Sequence, residues 1–215
     1  MTEAAIKIYR DTTAVPFELV VVETGSAHFG KAADTYVHRA SRTTLVNDIN
    51  AGLNAASGEF VVQAGNDIFV KPGWLEALLE CFGRFSDCGA ASLAVQEIGA
   101  RLAHESAPFI TEGWYGPLMM WRRGWRLDEA YESVGSDSDL VMRLYAAGLR
   151  AYRNHRVVVL HLNNQTWQGA QSEAYHQMEE RAHRTFVERW GQSPLWAATM
   201  ILRGGLVFGR EFDRG

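Results

Sequence analysis

Cysteine is scarce in this chain of 215 residues. Cys81 and Cys88 are too few for a disulfide framework and lack the paired spacing of a structural zinc site, so two free thiols in a reducing compartment are expected. An excess of positive charge is lacking as well. The formal net charge of -4 excludes a general attraction to nucleic acid or anionic lipid and leaves only a local basic patch as a route to either. No apolar run reaches the length of about 20 residues that spans a bilayer, and MTEAAIKIYRDTT has no basic stretch followed by an apolar one. The expected location is therefore cytoplasmic. PLWAATMILRGGLVFG, from Pro194 to Gly209, comes nearest to a membrane element but is interrupted by Arg203 and a Gly pair. It reads as part of an apolar tail, 193–215, packing on the domain or on a partner such as a second copy. Repeats, low-complexity segments and a Gly-rich phosphate loop with its Lys are also missing. At 47% hydrophobic and 21% charged residues, what remains is one well-buried domain over 1–192.

Apolar runs that end in polar turns organise this domain. Phe17 to Glu23 (FELVVVE) reads as a buried strand that delivers Thr24, Gly25 and Ser26. Leu45 to Ala56 has helical spacing, Ser57-Gly58 closes it, and Glu59 to Ala64 is a strand ending in Gly65-Asn66-Asp67. Pro72-Gly73-Trp74 then opens an amphipathic helix with Leu75, Leu78, Leu79 and Phe82 inward. Ala90 to Val95 is a short strand, and the pattern from there to Leu127 reads as loop-rich. Ser136 starts a helix that ends at Gly148, Val157 to Leu160 forms a strand with His161 at its end, and Glu173 to Trp190 is a charged helix with Met178, Ala182, Phe186 and Trp190 inward. Thr2 to Asp11 admits a helix with Ala4, Ala5 and Ile8 inward, or a strand.

Open α/β sheets bind ligands beyond the carboxyl ends of their strands, which directs attention to Asp67, to Asp137 with Asp139, and to His161. Asp67 and His161 suit a hard divalent ion such as Mn²⁺ or Mg²⁺ that bridges two phosphates. Asp137 or Asp139, at a helix start, suits a base that takes a proton from an attacking hydroxyl. The competing readings are a capping box for Ser136 and Asp139, a turn for Asp67 and a packed histidine for His161. Trp114, Tyr115, Trp121 and Trp125 could stack on a sugar or serve the core.

In this order the segments resemble the family 2 glycosyltransferases of the GT-A fold, from about Phe17 to Trp190. FELVVVETGS is similar to that family's strand and turn, with Glu23 where an acid contacts the nucleotide base. NAGLNAASGEFVVQAGNDIFVKPGWLEALL is similar to its Asn-x-Gly helix, its Gly-Glu strand entry, its DxD-like metal motif and its Pro-Gly-Trp-Leu helix. Asn50, Gly58, Glu59, Asp67 and Trp74 fall in place, while Gly65 stands where the first acid of the motif is usual. VGSDSDLVMRLYAAGLRAYRNHRVVVLHL is similar to its Gly-Glu-Asp-x-Asp-Leu helix and to the strand ending in a metal-site histidine, with Ser136 replacing the usual Glu; FVERWG is similar to the end of its catalytic domain. The family's first strand has no counterpart here.

The resemblance implies an α/β domain of GT-A type, three layers α/β/α around a central mixed, mainly parallel sheet. It implies an inverting transfer of a sugar from a nucleotide-sugar to a hydroxyl, assisted by Mn²⁺ or Mg²⁺. Asp137 would be the base, and Asp67 and His161 the metal ligands. Glu23, Gly25, Ser26, Asn50, Asn66 and Asp67 would meet the donor, and Trp114, Tyr115 and Asp139 the acceptor, which could be a glycan, a lipid-linked sugar, a small molecule or a modified nucleic acid. Two alternatives stand beside this reading. One is a relative that binds nucleotide, sugar or partner without turnover; the other is a phage-type enzyme acting on a modified DNA base.

Overall fold

The computed structural model describes residues 2–25, 28–41, 43–97, 110–114, 116–162 and 173–191. The N-terminal segment is a helix, α1 (Thr2–Thr12), and its inner face is Ala5, Ile6 and Tyr9 rather than the expected Ala4, Ala5 and Ile8. Val20–Thr24 forms β1 and, after a short 3-10 turn, Thr35–Arg39 forms β2, which pairs with β1 in parallel. Helix α2 (Leu45–Ala55) begins behind Thr44, whose side chain accepts a hydrogen bond from Asn47 N. β3 (Phe60–Ala64) and the two-residue β4 (Ile68–Phe69) precede α3 (Trp74–Arg84), and β5 (Cys88–Glu97) precedes β6 (Ile110–Glu112) and β7 (Leu118–Arg122). Helix α4 (Ser136–Ala146), the long β8 (Arg150–His161) and α5 (Glu173–Trp190) complete the described chain.

Six strands form one sheet in the order β3-β7-β5-β8-β4, with β6 also on β8. The expected α/β architecture with a mixed central sheet is found, but the sheet is not mainly parallel. Among its described pairings only β5 with β8 is parallel, and β3–β7, β5–β7, β4–β8 and β6–β8 are antiparallel. A parallel pair needs a crossover helix whereas an antiparallel pair can be joined by a short link, and this chain has more strands than crossover helices.

The segment 118–122, expected within a loop-rich stretch, is a central strand. Leu118 and Met120 face one core and Met119 and Trp121 the other, so burial on both sides removes the alternation by which a strand is usually read. One core lies between the sheet and α2, α4 and α5; the other lies between the sheet and α1 and α3. Trp121, placed among possible sugar-stacking residues by the sequence, is fully buried and donates its indole N–H to Trp125 O at 3.0 Å. Cys81 and Cys88 are free, buried thiols, and burial pushes Cys81 up to about 12, which keeps it protonated and unreactive.

Asp139 clamps α4 to α5. Its carboxylate is fully buried and accepts from Arg143 Nε at 2.8 Å, Arg189 Nη1 at 2.8 Å and Trp190 Nε1 at 3.0 Å. The capping box expected from Ser136 and Asp139 is therefore absent, and Ser136 Oγ instead donates to Ser133 O at 2.7 Å. Asp139→Ala would deprive Arg143 of the buried carboxylate it pairs with and leave Arg189 with Asp128 alone. A loss of about 2–4 kcal/mol is expected, below the usual maximum because both arginines are partly exposed. Urea denaturation checks this, and a loss under about 0.5 kcal/mol, the ordinary scatter of surface substitutions, would show that the clamp adds no stability.

Candidate active site

Strand register brings Asp67 and His161 together. Asp67 immediately precedes β4 and His161 ends β8, and β4 lies antiparallel on β8 with Ile68 opposite His161. Leu162 N donates to Asp67 O at 2.9 Å, and His161 Nε2 lies 3.3 Å from Asp67 Oδ2. Both residues are almost buried, at 7% and 9% exposure, so the pair is a fixed feature of the sheet edge and not a chance surface encounter.

The structure explains why glycine stands at position 65. A β-carbon there would lie 2.8 Å from Asp67 Oδ1, inside van der Waals contact, so the space of a first acidic side chain is taken by the Asp67 carboxylate. Gly65 N donates to Pro117 O at 2.9 Å, which ties the turn Gly116-Pro117 to the Asp67 side of the site. Tyr9 supports the same segment from α1, donating to Ile68 O at 3.1 Å. Burial, with the charge of Asp67, pushes its phenol well above the ordinary range and keeps it a donor.

Asp137 lies on the other side of this turn. It is the second residue of α4, whose N-cap is Gly135, and a β-carbon at Gly116 would collide with its carboxylate. Burial raises the Asp137 carboxyl above its ordinary value, opposed by hydrogen bonds from the backbone of Ser138 and Asp137 and from the Trp114 side chain. The Trp114 carbonyl in turn accepts a hydrogen bond from Arg153 on β8. The Gly116-Pro117 turn thus lies between Gly65, two residues before Asp67, and Asp137, while His161 joins this side of the sheet through Asp67. The sequence reading missed that turn and Tyr9; the Gly-Pro dipeptide was a turn signal that could have marked the former.

Other residues singled out from the sequence are engaged elsewhere. Asn50 is buried and bridges α2 to the segment after β7, donating to Leu127 O at 2.9 Å and Glu129 Oε1 at 3.1 Å and accepting from Leu127 N at 3.2 Å. It acts as a structural tie, and Asp139 belongs to the α4–α5 clamp, not to an acceptor surface. Glu23 Oε2 accepts from Tyr36 OH at 2.7 Å and from the backbone N–H of His28 at 2.8 Å and Phe29 at 3.1 Å, which hold its carboxyl below the usual range. Gly25 closes the β1 turn, its N–H donating to Arg39 O at 3.0 Å. Asn66 is exposed and donates to Thr2 Oγ1 at 3.0 Å. Ser26, Tyr115 and the tail 193–215 lie outside the described residues.

Among the described residues no group of three or more His, Cys, Asp or Glu side chains gathers as a metal cage. The Asp67–His161 pair fits a smaller share of a coordination sphere. Their donor atoms, 3.3 Å apart, are a carboxylate oxygen and an imidazole nitrogen, a donor set that would suit a hard divalent ion.

The fold is similar to that of solved GT-A glycosyltransferases. The mannosyltransferase PcManGT from Pyrobaculum calidifontis, in complex with GDP-Man and Mn²⁺, is 17% identical with a TM-score of 0.67 over 97% of this chain and 68% of its own. S. aureus TarS in complex with UDP-GlcNAc is 14% identical with a TM-score of 0.64 over 98% of this chain and 70% of its own. GalNAc-T7 with UDP, GalNAc and Mn²⁺ is 12% identical with a TM-score of 0.56 over 80% of this chain and 44% of its own. No family model and no curated protein matches the sequence. The likenesses establish the fold.

The raised Asp137 value makes a testable statement about stability. The folded protein binds this proton more tightly than the unfolded chain, so stability falls as pH rises from the ordinary aspartate value of 3.8 through the raised one. Asp137→Asn removes the titration, and its stability relative to the parent should therefore increase from pH 4 to pH 8. Urea midpoints across that range check the sign; a difference independent of pH would contradict a half-buried carboxyl that holds its proton in the folded state.

Proposed function

We propose that the chain transfers a sugar from a nucleotide-sugar to an acceptor hydroxyl with inversion, assisted by a divalent ion. The observation that carries this reading is the Asp67–His161 pair at the sheet edge, linked through Gly65 and the Gly116-Pro117 turn to Asp137, in a fold similar to that of GT-A glycosyltransferases. Asp67 and His161 would hold the ion, and a bound Mn²⁺ or Mg²⁺ would supply charge neutralisation for a departing diphosphate.

Asp137 would accept the acceptor hydroxyl's proton as that oxygen bonds to the anomeric carbon and the bond from that carbon to the diphosphate oxygen breaks. A carboxylate made more basic by burial suits this task better than an exposed one. Trp114, bonded to Asp137, would orient the carboxylate and border the acceptor. Donor contacts would come from Asn66, Asp67 and the turn after β1 that carries Gly25 and Ser26. Glu23 would shape that turn through its three hydrogen bonds. No helix of the described residues is long and apolar enough to cross a membrane, so an acceptor would be met without a helical span from this part of the chain.

The packing of Asp137 against Gly116 also favours a second reading, nucleotide or sugar binding without turnover, because that contact covers one carboxylate oxygen. One series of measurements separates the two. UDP, GDP, CMP and dTDP and their sugars, each with and without Mn²⁺, are screened by thermal shift. One nucleotide at a hundredfold excess over its Kd should add about 2.7 kcal/mol, or roughly 5–10 °C for a chain of this size, in a manner dependent on Mn²⁺. Asp67→Ala and His161→Ala should abolish the metal-dependent part. Asp137→Asn should keep the shift and lose donor turnover by a factor of at least about 100. Binding without turnover in the parent would establish the second reading; no shift with any nucleotide would overturn both.

A further inference from the structure

Two rows of side chains cross the six-stranded sheet on the face that packs against α2, α4 and α5. Residues opposite one another in the strand register share a face, and Val61, Trp121, Ala90 and Ala151 form one row, which belongs to the apolar core. Two residues further along each strand, on the side of the candidate site, the next row is Gln63, Met119, Ser92, Arg153 and Thr111. Ser92 is fully buried, and its hydroxyl and the Gln63 side-chain oxygen have no hydrogen-bond partner among the described residues. Unpaired polar groups cost stability, so a row that served packing alone would be apolar like the one beneath it.

The link from β6 to β7 meets this second row at Arg153. In the sheet β8 and β5 lie between β6 and β7, and the link is held by its backbone at both ends. Gly113 N donates to Ala151 O at 3.0 Å, and Pro117 O accepts from Gly65 N at 2.9 Å. Between these ends the Arg153 guanidinium donates to Trp114 O, and the Asp137 carboxylate lies against Gly116 from α4. Ser92 and Thr111 flank Arg153 on the neighbouring strands, and both are small, which gives the guanidinium room to reach Trp114 along this face. The Trp114 side chain in turn donates a hydrogen bond to Asp137.

We propose that Arg153 is a positioning residue for Asp137, whose carboxylate it holds in place through Trp114. A guanidinium offers its donors in a fixed plane, so its bond to the Trp114 carbonyl sets the direction of that peptide as well as its distance from β8. With Gly113 and Trp114 both tied to β8, the Trp114 side chain approaches the start of α4 from a fixed base and restrains Asp137 there. The polar second row is then the bed in which this tie lies, at the expense of the packing that apolar side chains would give. The importance of the tie for sugar transfer rests on Asp137 being the base proposed above, whereas the positioning itself does not. A displacement of about 1 Å at a reacting group can lower a rate on the order of 100-fold, which is the scale on which such a tie would matter.

Arg153→Met and Arg153→Lys test this in the 215-residue chain. The Trp114 indole N–H is identified by NMR as the resonance lost in Trp114→Phe, and Asp137→Asn should shift it. Arg153→Met removes the donor and should speed exchange of that indole proton at least about tenfold while the amides of β5 keep their protection. Arg153→Lys retains a charged donor and should leave the exchange close to the parent's. Turnover should fall about 10–100-fold in Arg153→Met with the nucleotide thermal shift unchanged, and should be largely restored in Arg153→Lys. Unchanged indole exchange in Arg153→Met would overturn the positioning role. Loss of β5 protection in both variants, in step with the indole, would reduce Arg153 to a structural tie and overturn it as well. A freed indole with undiminished turnover would show that Trp114 does not hold Asp137. A parent without turnover would count against the transfer reading alone, and the indole exchange would still decide whether Arg153 positions Trp114.

Discussion

The parallel pairing of β8 with β5 is the constraint on which the candidate site depends. β8 is twelve residues long, pairs with β5 along its length, and carries β6 and β4 on its other edge. His161 meets Asp67 because β4 is held by the last two residues of β8. Trp114, which follows β6, is fixed to the same strand through Arg153. A register change of one residue would reverse the side-chain faces of β8 and separate these groups. The site is therefore a property of strand pairing rather than of any single loop.

Asp139 gives the second layer of organisation. α4 carries Asp137 in its first turn, and the neighbouring Asp139 binds that turn to Arg189 and Trp190 at the end of α5. The two aspartates differ in what faces them. Asp139 faces two guanidinium groups, which compensate its charge, whereas Asp137 receives only neutral hydrogen-bond donors and is pushed toward its protonated form. One helix start thus holds a structural carboxylate and a chemically adjustable one, separated by a single residue.

Much of the fold was legible in the sequence because its signals are local. The valine run of β1, the helical spacing of α2, the Pro-Gly start before α3 and the inward stripe Met178, Ala182 and Phe186 of α5 all appear in the structure. β7 was not legible because its Leu-Met-Met-Trp run is buried on both faces. Only the end of β8 was read as strand, because a register shift between Leu93 and Ala94 places the polar residues His155 and Arg156 in its middle. Asn50 and Asp139 were assigned to ligands for a related reason. Asn50 is tied to Leu127, 77 residues away, and Asp139 to Arg189, 50 residues away as well as to the nearby Arg143, and no local pattern distinguishes such a buried polar tie from a ligand contact.

The position of Gly65 brings the fold and the proposed chemistry together. An acid at this place would meet the Asp67 carboxylate at under 3 Å, so two carboxylates would share one buried space and raise each other's affinity for protons. Glycine avoids that repulsion, and its backbone N–H donates to Pro117 O in the turn between Asp67 and Asp137. With one carboxylate and one imidazole, the protein would offer a divalent ion a single carboxylate charge, and the diphosphate of a bound nucleotide would have to supply the rest. Ion and nucleotide would then bind in a coupled manner, each strengthening the other by the same factor.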